Sequence, residues 1–403
     1  MNDINNKNEW MKCDYLIAKK ETRRTSSYYH TLPVGTDEIS IIEVENGKIL
    51  MYFDISAMEP HSLAYLSQDP NFMEDYNNHK DIYIELAKMA FPGKTNEEYK
   101  KQYRSLFKTI LLGLQYGMST PALANRLGLP MEEAERLANI FRDRYPKALE
   151  LLEYQVEYLQ RTGLVYTYLG DKLPIDPLKI ESRAEQLGRN YPIQGGSSLI
   201  CTSGYFIMIN KAMELGIDIE PVGMIHDSCQ NTFSMKYLFY MDKLCKKYFT
   251  EYLKKKTGIY YPFEIELCRN LRDHIEYSRD NDIITMEGCI DDLNYIIDNL
   301  KKDYLLELVS DELIEKSPDD KLHYECELMS TRPRKKPHLM SISPDIYKSD
   351  THKIQYRLLT DISNDPIIKK IDEDDLSWVK SINLCKTVKE RRKEEFSKDN
   401  ISR

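Results

Sequence analysis

The segment that most restricts the fold is a short apolar run, Ile49-Leu50-Met51-Tyr52-Phe53, which stops at Asp54. A run of this length fits a buried strand. Far downstream, VGMIHDSCQNTF at 222–233 reads as two short strands around a tight turn at His226-Asp227-Ser228. Between the two, apolar residues recur at helical spacing. They do so in DIYIELAKMAF, YRSLFKTILLGLQYG and MEEAERLANIFRDRY, from about residue 81 to 160, and helical character returns over 184–214. Pro130 followed by acidic residues is the usual chemistry of a helix start. GLVYTYLGDKLPI (163–175) reads as a hairpin turning at Gly170-Asp171, and PFEIEL (262–267) as a further strand. The fold class is therefore α/β (α+β), with strands parted by a long helical insertion.

The chain of 403 residues has a net charge of -9 and is 30 % charged and 41 % hydrophobic, a globular balance. An acidic sum argues against a purely electrostatic nucleic-acid binder. It does not argue against a metal-dependent enzyme, which needs a local acidic cluster beside a basic groove. Eight cysteines are scattered without a CxxC pair, so neither a zinc ribbon nor a dithiol redox site is suggested. The N-terminus has no apolar signal core, and no apolar run reaches bilayer length. These features predict a reducing, cytosolic location.

Two aspartates brought side by side on a sheet, Asp54 and Asp227, would bind two Mg2+ ions roughly 3.5–4 Å apart, the geometry that activates a 3′-hydroxyl and stabilises leaving pyrophosphate. A lone aspartate after a strand is more often a turn or cap residue, so the pair needs a third element. Arg104, Lys108, Leu112 and Tyr116 stand four residues apart. On a helix they form one stripe with a slow drift. Two cations in line suit a triphosphate, and the ring suits stacking on a base. An amphipathic helix with snorkelling cations and a packed tyrosine is the competing reading of the same stripe.

The order and wording of these elements resemble the family A DNA polymerases, the bacterial polymerase I and phage polymerase group. Asp-Ile-Ser-Ala-Met-Glu at 54–59 is similar to the family's Asp-Tyr-Ser-Gln-Ile-Glu. Arg104-x3-Lys108-x7-Tyr116-Gly117 follows the family pattern, and Ile225-His226-Asp227 is similar to its Val-His-Asp. Thr22-Arg23-Arg24-Thr25-Ser26-Ser27 and Asn190-Tyr191-Pro192-Ile193-Gln194-Gly195 resemble two supporting motifs. The resemblance covers about 22–270. It implies a right-hand architecture: an antiparallel palm sheet from about 49–80 and 205–275, with helical fingers from about 81–204. A lead segment over 1–48 would carry the primer-template motif, and 276–403 would form a mainly helical C-terminal extension.

The resemblance also implies roles. Asp54 and Asp227 would be metal ligands, with the backbone carbonyl of Ile55 assisting. Glu59 would crowd the sugar 2′ position. Arg104 and Lys108 would grip the triphosphate, with Lys108 acting in catalysis, and Leu112 and Tyr116 would lie near the incoming nucleotide. Arg24, Asn190, Gln194 and His226 would contact primer and template. The implied activity is template-directed synthesis from dNTPs with Mg2+ on primer-template DNA.

The pattern is also broken in places. Ser228 stands where the family has Glu, Leu112 where it has an aromatic ring, and Tyr83 where many members have His. Gly170-Asp171-Lys172 lacks an arginine run often seen there. The family places a thumb and usually an exonuclease domain ahead of the Thr-Arg-Arg cluster, which here comes early. The expectation is one piece of a divided polymerase, with thumb and exonuclease on a separate polypeptide. Two alternatives compete with it: a catalytically weakened, polymerase-like DNA-binding subunit, and a different two-metal enzyme such as a nuclease, which would leave the Arg–Lys–Tyr stripe unexplained.

Overall fold

A computed structural model of the chain describes residues 44–166, 172–225, 228–269, 274–314 and 351–381. The Thr22–Ser27 cluster, the Gly170-Asp171 turn, the basic stretch at 330–338 and the charged tail lie outside the described residues.

An antiparallel sheet of eight strands organises the molecule. Its strands are β1 (Lys48–Ile55), β4 (Glu220–Ile225), β5 (Ser228–Ser234), β6 (Phe263–Cys268), β7 (His274–Asp280), β8 (Ile283–Cys289), β9 (Leu306–Ile314) and β10 (Thr351–Leu358). They lie in the order β4-β5-β1-β6-β7-β8-β10-β9. A separate small hairpin joins β2 (Leu164–Tyr166) to β3 (Lys172–Pro174). Strand β1 lies between β5 and β6. Successive side chains of a strand alternate between faces. Ile49, Met51, Phe53 and Ile55 are accordingly buried on one face, while Tyr52 and Asp54 are half-buried on the other.

The helices follow in the order α1 (Met58–Ser67), α2 (Pro70–Asn77), α3 (Ile82–Ala90), α4 (Arg104–Gln115), α5 (Thr120–Leu127), α6 (Met131–Arg144), α7 (Pro146–Thr162) and α8 (Pro177–Glu214). After β5 come α9 (Leu238–Leu244) and α10 (Tyr252–Thr257), then α11 (Ile290–Leu300) after β8 and α12 (Pro366–Glu373) after β10. The expected helix at 184–214 is the part of α8 that follows Arg183, with Pro192 inside it. The chain kinks at Arg183 (φ -145°), and a further turn of helix precedes the kink.

Helix α8 and the helical stretch of α9 and α10 cover the Phe53 face of the sheet. Phe53 meets Phe249 edge-on at 4.6 Å, and the Cys201 thiol lies 3.9 Å from that of Cys229. Ser197 on α8 donates to Ser62 on α1 at 2.9 Å, which ties α1 into the same core. Gly188 lets α7 and α8 touch: a Cβ there would lie 2.8 Å from the Cα of Val156. On the far side of α1, the buried Asp75 of α2 accepts hydrogen bonds from Lys80, Arg144 and Tyr145. Burial alone would raise this carboxyl, but the hydrogen bonds from Lys80, Arg144 and Tyr145 outweigh it and hold it below the usual range.

The region after 275 is not mainly helical in its described residues. Strands β7, β8, β10 and β9 continue the sheet outward from β6. The run CIDDLNYIIDNLKKDYLLELVSDELIEK divides into α11 and then β9. Leu293, Ile296, Ile297 and Leu300 of α11 are buried at helical spacing. The apolar residues of β9 fit either period, and pairing with β10, beyond reach of any local pattern, makes it a strand. Helix α12 and the turn after it dock on α9 and α10, with Tyr240 donating to Asp365 and Tyr248 to Asp374, each at 3.0 Å.

Candidate active site

The C-terminal end of β1 is the centre of the site. Asp54 is directly opposite Ser228 on β5 and Glu264 on β6. Directly opposed residues of antiparallel strands point to the same face. Asp54, Ser228 and Glu264 therefore form one row across three strands, on the face that the helices leave open. Ile225 pairs with Ser228 and so closes the β4–β5 hairpin. His226 and Asp227, the two connecting residues, lie outside the described residues. Ser56 donates to Glu264 at 3.0 Å, which fixes the exposed carboxylate beside the end of β1. The Ile55 side chain is buried in the core at 1 % exposure, so any role for this residue falls to its main chain.

The chain leaves β1 through Ala57, whose φ of 53° is left-handed, and enters α1 with Glu59 in the first turn. The buried His61 ring donates from Nδ1 to the Ala57 carbonyl at 2.8 Å and stacks on Tyr76 at 3.6 Å. That anchor holds the unusual turn which aims Glu59. Burial lowers the His61 pKa to about 4, so the ring is neutral at ordinary pH.

Helix α4 presents the expected stripe. Arg104, Lys108, Leu112 and Tyr116 are all half-buried, whereas Phe107, Ile110, Leu111 and Leu114 face the core. A wider, π-type turn at Tyr99–Tyr103 leads directly into Arg104. Such turns recur at functional sites because they rotate the helix face that succeeds them. At the other end Tyr116 closes the helix and Gly117 takes φ +77°, where a Cβ would lie 3.1 Å from the backbone of Glu185. Arg189 of α8 donates to the Leu114 carbonyl at 3.0 Å. Asn190 and Gln194, one turn apart on α8, are half-buried just beyond that contact.

Arg104 is gripped from the side. Its Nε donates to Asp81 at 2.6 Å, and its guanidinium lies 5.4 Å from the centre of the Tyr83 ring. Partial burial would lower its pKa, but Asp81 outweighs that, with smaller help from Tyr83 and Glu264. Burial drives the Tyr83 hydroxyl well above its ordinary range, and the charges of Arg104, Asp81 and Glu59 also act on it. Glu264 of the sheet and Arg104 of α4 are thus within electrostatic reach of each other, as are Glu59 and Tyr83.

The structure sets Asp54 opposite Glu264, places Glu59 within electrostatic reach of Tyr83, and puts Asn190 and Gln194 on α8 just after the Arg189 contact with Leu114. Arg24, His226 and Asp227 fall outside the described residues. Sequence reasoning missed Glu264 and the part played by Asp81. The alternation in PFEIEL sets Glu264 and Glu266 on one face of β6, a signal that was available. Asp81 gave no such signal, since 23 residues separate it from Arg104. Among the described residues no group of three or more His, Cys, Asp or Glu side chains is disposed to hold a metal ion. No helix among them is long and apolar enough to cross a membrane.

An antiparallel sheet with Asp54 and Glu264 on its open face, beside helices one of which presents an Arg–Lys–Tyr stripe, fits the palm and fingers of a polymerase. Residues 38–270 match the model of DNA polymerase family A, and the chain belongs to that family. It is 29 % identical over 205 residues to DNA polymerase I of Caldicellulosiruptor bescii, covering 49 % of this chain and 24 % of that protein. It is 28 % identical over 236 residues to DNA polymerase I of Borreliella burgdorferi, covering 56 % of this chain and 26 % of that one. The chain therefore spans about a quarter of the length of these curated relatives. The polymerase domain of Pol1 from M. smegmatis, solved in complex with DNA primer-template and dNTP, superposes with a TM-score of 0.56 at 21 % identity. That likeness covers 64 % of this chain and 47 % of the other, and it concerns the fold.

Proposed function

We propose that the chain performs template-directed DNA synthesis by nucleotidyl transfer from a dNTP to a primer 3′-hydroxyl, with residues 49–80 and 205–275 as palm and 81–204 as fingers. The observation that carries this reading is the row Ser228–Asp54–Glu264 on the open face of the sheet, with Arg104 within electrostatic reach. Carboxylate oxygens are the donors a hard divalent cation takes, so the donor chemistry fits Mg2+. Asp54, Asp227 and the Ile55 carbonyl would hold the ions, with Glu264 adding negative charge alongside. Bound Mg2+ would acidify the 3′-hydroxyl and offset charge on the departing pyrophosphate. Arg104 and Lys108 would draw the triphosphate against α4 and neutralise the charge that develops on it. Glu59 would lie against the sugar, and Tyr116 beside the nascent pair. Arg24, Asn190, Gln194 and His226 would contact primer and template, in keeping with minor-groove contacts that check shape more than sequence.

Ser228 favours a second reading, a weakened polymerase-like subunit, because a neutral side chain stands beside Asp54 where the family carries an acid. Primer extension with Mg2+ and dNTPs separates the two. Template-dependent synthesis that disappears in both Asp54→Asn and Asp227→Ala supports the enzyme. A melting temperature raised by dNTP and Mg2+ without extension selects the weakened subunit. Neither response would refute both.

A further inference from the structure

We infer that Asp81 is a positioning residue for the triphosphate-binding arginine: it holds Arg104 edge-on over Tyr83, so that the nucleotide meets a cation already aimed. The inference rests on the proposed polymerase reading and deepens it. Asp81 is itself immobilised. Its Oδ1 accepts the main-chain N–H groups of Tyr83 and Ile84 at 3.0 and 3.2 Å, as the N-cap of α3. Its Oδ2 is then left to receive Arg104 Nε at 2.6 Å. A carboxylate that engages Nε fixes the plane of the guanidinium and directs the terminal nitrogens past it. The buried Tyr83 ring, 3 % exposed, lies with its centre 5.4 Å from the guanidinium carbon and limits the space in which the group can turn.

The alternative effect of Asp81 is electrostatic opposition, since its negative charge repels a triphosphate. Arg104 is 43 % exposed, and water screens that repulsion. Orientation is not screened, because it is set by hydrogen bonds to a fixed helix terminus. Orientation therefore dominates, and loss of Asp81 weakens nucleotide binding instead of strengthening it.

The test uses Asp81→Ser and Asp81→Asn in the full chain. Both variants keep the helix cap, but serine is too short to reach Arg104, and asparagine, with its one oxygen on the cap, turns an NH2 donor toward Nε, so neither offers that nitrogen an acceptor. Equilibrium binding of dNTP, dNDP and deoxynucleoside is measured with Mg2+ in wild type, each variant, Arg104→Ala and the double variant Asp81→Ser/Arg104→Ala. The expected result is about a tenfold loss of dNTP affinity in Asp81→Ser, on the scale at which misorientation acts. The loss should be smaller for dNDP and absent for the nucleoside, and asparagine should show it too. It should also vanish in the Arg104→Ala background, because the two residues act as a unit. Unchanged or tighter dNTP binding in Asp81→Ser overturns the inference, as does an equal loss in the Arg104→Ala background. If wild type binds dNTP no better than nucleoside, or Arg104→Ala binds as well as wild type, the polymerase reading fails first and takes the inference with it.

Discussion

Replacing Asp75 with Asn preserves the shape of the side chain but removes its charge and turns one of its two acceptor oxygens into an NH2 donor. The wild-type carboxylate is 0 % exposed, while its partners Arg144 and Lys80 are 29 % and 35 % exposed. Arg144 reaches both oxygens, with Nη2 at 2.9 Å from each, and the Tyr145 hydroxyl donates to Oδ2 at 2.9 Å. Removing one member of a fully buried pair costs about 3–5 kcal/mol. Here both cations can turn to water, which reduces the expected loss to about 2–3 kcal/mol at pH 7. The pH dependence comes from the depressed pKa. The carboxylate contributes its full stabilisation above its unfolded value, near 4, and loses it as pH falls from there toward the lower folded value. The neutral variant has no such loss. The gap between the two proteins should therefore close on acidification, by at most about 1.4 kcal/mol per pH unit. Urea melts at pH 7 and pH 3 measure this. A gap that is the same at both pH values, or under about 0.5 kcal/mol at pH 7, would refute the assignment of charge as the cause.

Gly188→Ala should cost about 1–3 kcal/mol, because the new methyl would meet the Val156 backbone, which no rotamer change can relieve. Denaturant melts indistinguishable from wild type would show that α7 and α8 separate freely. Leu112→Phe restores a ring on the half-buried stripe of α4 and should change the ratio of dideoxynucleotide to deoxynucleotide incorporation. Equal ratios in the two proteins would remove Leu112 from the nucleotide site.

How much of the molecule was readable without the structure depends on the range of the signal. The stripe from Arg104 to Tyr116 was legible because a helix repeats its face within a few residues, and the structure leaves those four positions half-buried as a set. Asp54 was legible near the end of a strand because a short continuous apolar run, Ile49 to Phe53, leads up to it, and the structure ends that strand at Ile55. Its neighbours were less so. Ser228 could be placed beside Asp54 only through the resemblance, and Glu264 was read as part of a strand without its register. The extension was misjudged where two periods coincide, over Leu306–Ile314, since only the partner strand β10 decides between them. The Asp81–Arg104 bond joins two helices and leaves no spacing to detect.

The register of β1 also bears on how the protein is made. Neither strand that flanks Asp54 exists until 228–234 and then 263–268 have been synthesised. Such distant pairings close slowly, because the loop entropy must be met before the contacts reward it. Some helix pairs between 58 and 214, such as α7 with α8, are near in sequence and can form while β1 waits unpaired. The row of Ser228, Asp54 and Glu264 is thus completed only once Phe263–Cys268 has been made, and a chain cut short before Phe263 lacks one of the two strands that flank β1.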